Sequence, residues 1–224
     1  MAALDPSAEK VTVDVWSDIV CPFCFMGDTL LAQAVEASGL DVELRYHSYQ
    51  LMPELPEGAT LDLADHLAEK FGTSRDKAVE MNEQVSARAA EIGLDYHLDR
   101  ALPTNTLPAH RLAHWAAGEG RQHALILALF RAYFTDGRNV GDHEVLADLA
   151  AEAGLPREEP LAVLGTESFA EEVQQDIALA QRLGISGVPF FVFDGKYAVS
   201  GAQPVEVFRQ ALDTAVQARG ASPA

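Results

Sequence analysis

Cysteine is almost absent from this chain: its 224 residues include two, Cys21 and Cys24. That scarcity argues against a zinc site, because a structural site closes with four ligands and one C-x-x-C supplies two. A second pair is missing, and none of the seven histidines sits at zinc spacing from the first. Basic residues are also scarce, 16 Lys and Arg against 34 Asp and Glu, for a net charge of −18. So acidic a chain disfavours nucleic acid and anionic membranes as partners. Long apolar runs are lacking as well, and nothing approaches the roughly 18 residues of a membrane span. Residues Met1 to Lys10 carry neither the basic nor the apolar segment of a secretory signal. The expected setting is therefore the cytoplasm, where thiols rest reduced. The 48% hydrophobic content is that of a soluble globular protein.

The two cysteines occupy one stretch, Val20-Cys-Pro-Phe-Cys-Phe25. A strand-like run, Val11 to Asp18, precedes it, and a helix-like run, Phe25 to Ser38, follows and stops at Gly39. Cys21 then falls at the N-cap and Pro22 at the first helical position, where a missing N–H costs nothing. The unsatisfied first-turn N–H groups and the positive end of the helix dipole favour a thiolate at the cap, so the Cys21 pKa is expected to be lowered. Cys24 follows three residues later, and Cβ atoms at that spacing lie about 5–6 Å apart, close to the span of a disulfide. Cys21 reads as an exposed attacker and Cys24 as an inner, resolving thiol. Asp18 offers itself as a buried proton acceptor for Cys24, with solvation at the strand end as the commoner fate of such a residue.

Asp41 to Tyr49 alternates and reads as a second strand, completing a parallel β-α-β unit. Trp16 reads as core. Gln50 to Thr60, with Pro53, Pro56 and Gly58, marks a boundary. Helical patterns then run almost without interruption to about residue 180. Their expected caps are Thr60, Thr73 or Ser74, Thr104 or Asn105, Asp142 and Thr166. Near the end, Gly187-Val-Pro-Phe-Phe-Val-Phe193 reads as a loop and a strand, and Asp194-Gly195 as a two-residue hairpin turn. Lys196 to Ser200 returns as a strand, and Pro204 stands in the first turn of a last helix. The tail from Arg219 reads as disordered. The fold class is thus α/β, a β-α-β unit and a β-β-α unit sharing one sheet around a large all-helical insertion. The expected division is residues 11–59 with 181–218 for the sheet domain, and 60–180 for the insertion. His110 and His114, four apart, read as partly buried hydrogen-bonding groups.

These motifs carry a family resemblance. C-P-F-C after a first strand, with G-V-P-F-F-V-F before a final hairpin and helix, resembles the DsbA-type branch of the thioredoxin superfamily. Asp18 to Gly27, Asn105 to Arg111 and Gly187 to Phe193 are similar to the FrnE-like proteins. These are relatives of 2-hydroxychromene-2-carboxylate isomerases and kappa-class glutathione transferases. The resemblance spans about Val11 to Ala218. It implies a thioredoxin fold, with Pro189 as a cis-proline facing the cysteines and the Val188 backbone beside Cys21 ready to hydrogen-bond an extended substrate. It also implies Pro22 and Phe23 as substrate-facing residues that help set the redox potential. Asn105 and Thr106, whose plain role is a helix cap, become a substrate-facing patch by the same analogy.

The expected chemistry is thiol–disulfide exchange on disulfide-containing proteins or small thiols. No bound cofactor is called for. The resemblance admits glutathione as a co-substrate and a homodimer as the assembly. A glutathione-dependent isomerase or transferase acting on an aromatic or polyketide-like molecule is the alternative, although those isomerases typically carry serine where Cys21 stands. A non-catalytic peptide-binding holdase is the third reading, which the retention of both cysteines disfavours.

Overall fold

A computed structural model describes residues 10–56 and 61–220. Four strands form one sheet in the order β2-β1-β3-β4. β1 (Val11–Ser17) pairs in parallel with β2 (Val42–Ser48), with Val13 opposite Leu44 and Ser17 opposite Ser48. β3 (Phe190–Phe193) runs antiparallel to β1, and β4 (Tyr197–Ser200) antiparallel to β3. Side chains alternate across a sheet. Val13, Val15, Phe191 and Phe193 therefore share one face, all at most 2% exposed. Helices α1 (Pro22–Ser38) and α9 (Val205–Gly220) pack together at this end of the core. Trp16 presents the other face, packing with Ala180 and Ile185 near α8 (Ala170–Arg182).

Between β2 and β3 every regular element among the described residues is a helix. They are α2 (Leu63–Phe71), α3 (Arg75–Ala90), α4 (Leu107–Gly118), α5 (Gln122–Arg131), α6 (His143–Glu152), α7 (Glu158–Leu164) and α8. The fold is thus a thioredoxin fold with a helical insertion. α5 widens into one π turn, Ala132–Asp136, which Gly137 ends at φ 67°. An aromatic stack, Phe25 on Phe130 at 5.1 Å and Tyr96 on Phe134 at 4.6 Å, ties α1 to that turn.

Local chemistry explains most helix ends. Gly39 closes α1 in the left-handed region, φ 66°, which costs glycine nothing. Ser74 and Asp142 cap α3 and α6 with their side chains. Other expectations need correction. Asp62 caps α2, and Thr60 lies outside the described residues. Thr106, not Thr104 or Asn105, occupies the N-cap position of α4. Thr166 does not cap α8: its hydroxyl bonds back to the Val163 carbonyl, and α8 starts after Phe169 in a left-handed conformation, φ 64°.

The hairpin separates its strands by three residues rather than two, with Phe193 opposite Tyr197. Asp194 and Gly195 take φ 51° and 65° at its tip, and Lys196 is the extra residue. At the other end of the chain, Arg219 is helical and not part of a disordered tail. Its guanidinium grips both Asp194 carboxylate oxygens at 2.6 Å and the Lys10 carbonyl at 2.7 Å. That anchor supplies the reason for order that composition alone did not show.

Candidate functional site

β1 ends at Ser17, and the turn to α1 delivers Cys21. Its N–H donates to the Asp18 carbonyl at 3.1 Å, and its own carbonyl accepts from Cys24 N–H at 3.0 Å. Cys21 is the N-cap residue of α1, in extended conformation, with Pro22 directly after it. Both cysteines are free thiols. The exposed attacker expected from sequence is in fact covered: Cys21 is 3% exposed and Cys24 2%. The cover over Cys21 comes from the loop before β3. There the Val188–Pro189 peptide is cis, and Cys21 Sγ donates to the Val188 carbonyl at 3.5 Å. Gly27, one turn into α1 beyond Cys24, lets this loop close on the helix: a Cβ there would lie 2.9 Å from Pro189 Cγ.

What Cys21 faces is a cavity of about 480 Å³. Val20, Pro22, Phe23 and Val188 line it beside the sulfur. The opposite wall comes from the insertion: Leu63, Leu67 and Phe71 on α2, and Met81 and Val85 on α3. Lys70 reaches in at the rim, where Nζ donates to the Leu51 carbonyl at 3.0 Å. Arg88 lies 5.6 Å from the Phe23 ring centroid, a cation–π distance. Tyr96 donates to the Pro22 carbonyl at 2.7 Å, bracing the first turn of α1. Burial, with both sulfurs nearby, holds the Tyr96 phenol well above its ordinary range.

Cys24 stands behind Cys21, away from this opening. Burial first, and then the neighbouring Cys21 sulfur, push its thiol well above the ordinary value. The Ser17 hydroxyl and the Asp18 N–H, both beside Cys24, partly offset that rise. Asp18 itself is fully buried, not solvated at a strand end. Its Oδ2 accepts from Leu51 N–H at 2.7 Å, and Oδ1 lies 3.2 Å from His110 Nε2. His114, one turn on, sits 2.9 Å from Asp176 Oδ2 and 3.2 Å from Ser48 Oγ. Both histidines thus take the hydrogen-bonding roles expected of them.

Pro22, Phe23 and Val188 gather around Cys21, whereas Asn105 and Thr106 do not line the cavity. Asn105 ties down the loop after β2 instead. Its Nδ2 donates to the Leu55 carbonyl at 2.8 Å and the Pro53 carbonyl at 3.3 Å, and its Oδ1 accepts from Leu107 N–H and Gln50. Thr106 is 2% exposed. The indirect consequence is that Leu51 and Met52, on the tethered loop, stay against the cavity. Sequence reasoning left out Ser17, Tyr96, Tyr133 and the α2–α3 wall. The one available signal was the apolar spacing of α2, which belongs equally to any amphipathic helix.

A family profile described as a DSBA-like thioredoxin domain matches residues 12–213. The chain belongs to that family. Among solved DsbA-type structures, a probable DsbA oxidoreductase from Streptomyces coelicolor is 39% identical, with TM-score 0.87, over 96% of this chain and 92% of that one. The cytosolic disulfide reductase DsbM from Pseudomonas aeruginosa is 26% identical, with TM-score 0.60, over 94% of this chain and 100% of that one. DsbM has also been solved with GSH. A 2-hydroxychromene-2-carboxylate isomerase, 16% identical over 95% of this chain and 100% of that one, shares the fold with TM-score 0.67. Among the described residues, no helix is long and apolar enough to cross a membrane.

Proposed function

We propose that this DsbA-family protein is a thiol–disulfide oxidoreductase working in the cytoplasm as a reductase or isomerase of disulfides, with Cys21 attacking and Cys24 resolving. The observation that carries this reading is the position of Cys21. Its sulfur sits at a helix N-terminus, faces an apolar cavity and touches the Val188 carbonyl. First-turn N–H groups favour negative charge on that sulfur.

Cys21 thiolate attacks one sulfur of the substrate disulfide. A Cys21–substrate bond forms, and the other substrate sulfur leaves as thiolate. Cys24 then attacks Cys21, closing the Cys21–Cys24 disulfide and releasing the second substrate sulfur. The protein loses two electrons and the substrate gains them. In an isomerase turn, a substrate thiol expels Cys21 instead. The Val188 backbone suits an extended peptide, and the cavity suits apolar side chains flanking its cysteine. Residues 11–59 and 181–218 supply the cysteines and Val188, and the insertion, 60–180, supplies the far wall. Glutathione as the thiol that reduces the Cys21–Cys24 disulfide is supported by its presence with DsbM, a relative of the same family.

The test is insulin reduction, run beside an equilibrium titration against glutathione. Cys21→Ser should abolish reduction, and Cys24→Ser should accumulate mixed disulfides visible by mass spectrometry. Reduction that survives Cys21→Ser would overturn the proposal.

A further inference from the structure

For so acidic a chain, the cavity that Cys21 faces has an unusual lining. Among its described residues there is neither Asp nor Glu, although the chain has 34 of them. Hollows of similar size elsewhere differ. One of about 510 Å³ is lined by Asp62, Glu83 and Asp99, and one of about 560 Å³ by Asp28, Glu36, Asp95 and Asp136, each with a single arginine. Beside Cys21, the one charged side chain among the described lining residues is Lys70. Its ammonium donates to the Leu51 carbonyl at 3.0 Å and meets no carboxylate among the described residues. Arg88 adds a second cation on Phe23, itself a lining residue. Its guanidinium carbon lies 5.6 Å from the ring centroid, and it donates to the Ala202 carbonyl at 3.3 Å.

We propose that Lys70 makes this an acid-selective site. The preferred substrate is a polypeptide disulfide whose reacting cysteine is flanked by an apolar side chain and, within about three residues, by a carboxylate. The proposal rests on the reading of Cys21 as the attacking thiol and names what the cavity beside it selects. Low-dielectric walls focus the field of a charge placed among them. A bond between two ionised groups is stronger than one to a neutral carbonyl, so a substrate carboxylate draws Lys70 away from Leu51. The apolar neighbour covers Leu67, Phe71 and Met81, a surface that a small dicarboxylate would leave bare. A basic residue in the carboxylate's place would instead bring a like charge to the rim, which is discrimination by repulsion.

The experiment uses the reduced full-length protein and blocked peptides that carry one cysteine as a thiopyridyl mixed disulfide beside a leucine. Cys21 bonds the peptide sulfur, and thiopyridone leaves with the electron pair and is read by its absorbance. Glutamate, glutamine or lysine is placed in turn at each of the three positions on either side of the cysteine–leucine pair. The best-placed glutamate should react about fivefold faster than glutamine at the same position, the scale of one well-placed ion pair, and lysine more slowly. In Lys70→Gln the glutamate-to-glutamine ratio should fall to about one, and in Lys70→Glu it should invert. Lys196→Gln, which removes one charge at the β3–β4 hairpin, should keep the wild-type ratio. Higher ionic strength should shrink that ratio in the wild type.

Equal rates for glutamate and glutamine at every position would overturn the proposal, as would a ratio that survives Lys70→Gln. A small dicarboxylate disulfide that gains as much from Lys70, with the leucine adding nothing, would overturn the polypeptide as occupant. The uncharged chromogenic disulfide dithiodipyridine separates these results from the exchange reaction itself. Its first thiolate is released when Cys21 attacks and its second when Cys24 resolves. Absence of the first release from the wild type would overturn the exchange reaction, whereas normal release with indifferent peptides would sink the selectivity alone.

Discussion

Cys21 Sγ lies 3.5 Å from the carbonyl oxygen of Val188, a residue 167 positions away in the chain. The turn after β1 and the loop before β3 therefore meet at one sulfur. The Val188 loop covers the sulfur, which otherwise faces the cavity. How this contact is maintained, and what approaches it, can be probed residue by residue.

Gly27→Ala tests the closure of the loop. The added methyl would meet Pro189 Cγ at 2.9 Å and Phe191 Cζ at 3.0 Å, neither the end of a flexible chain. Overpacking costs about 1–3 kcal/mol, against roughly 1 kcal/mol gained in helix propensity. A net loss of about 1 kcal/mol by urea unfolding is expected, together with slower release of the first thiolate from dithiodipyridine as the Val188 carbonyl is pushed off Cys21. An unchanged midpoint and rate would mean that the helix and loop can separate freely.

Phe71→Asp tests the cavity as a substrate site. Phe71 is 57% exposed, so its loss should change stability by no more than about 0.5 kcal/mol. It also lines the cavity, so an apolar segment bound there would lose contact area and meet a charge. We expect KM for insulin reduction to rise about fivefold, roughly 1 kcal/mol, with the dithiodipyridine rate unchanged. Equal effects on both substrates would remove the cavity from recognition of polypeptides.

His47 makes stability depend on pH. Burial works against its charge, but Asp14 and Asp176, each 2.8 Å from a ring nitrogen, overcome this and raise it to about 9. Its contribution is therefore complete below the unfolded value of about 6.5 and is lost as pH climbs through about 9. Asp176 behaves oppositely. Burial alone would raise it, yet His114, His47 and the Ser48 N–H hold it well below the carboxylate range. Its contribution is present above about pH 4 and fades on acidification. Thermal unfolding should show the wild-type Tm falling by several degrees between about pH 6.5 and 9.5, with His47→Gln giving a flatter curve. Parallel curves would show that His47 gains no charge on folding.

Arg219→Ala removes the bidentate clasp on Asp194 and the bond to the Lys10 carbonyl. Bidentate, charge-assisted pairs are among the stronger ion pairs, and a loss of about 1–2 kcal/mol is expected. Hydrogen exchange should rise first at the β3–β4 hairpin and the start of β1. A loss below about 0.3 kcal/mol would class the clasp with ordinary surface pairs.

Local chemistry along the chain was sufficient for the strand–C-P-F-C–helix start, the Gly39 stop, the Ser74 and Asp142 caps and the strands around Asp194-Gly195. Each depends on neighbours a few residues apart, and their torsions and hydrogen bonds leave residue-type signatures. Val188 and Pro189 beside Cys21 were legible only through family likeness. Tertiary packing alone decided the rest. Asp18 meets His110 across 92 positions and His47 meets Asp176 across 129. Nothing in the composition near Asp18 distinguishes a buried carboxylate from a solvated one. The cover over Cys21 and the α2–α3 wall likewise arise where distant surfaces close on each other. Shape and burial of that kind belong to the folded chain, because no short segment contains both sides of the contact.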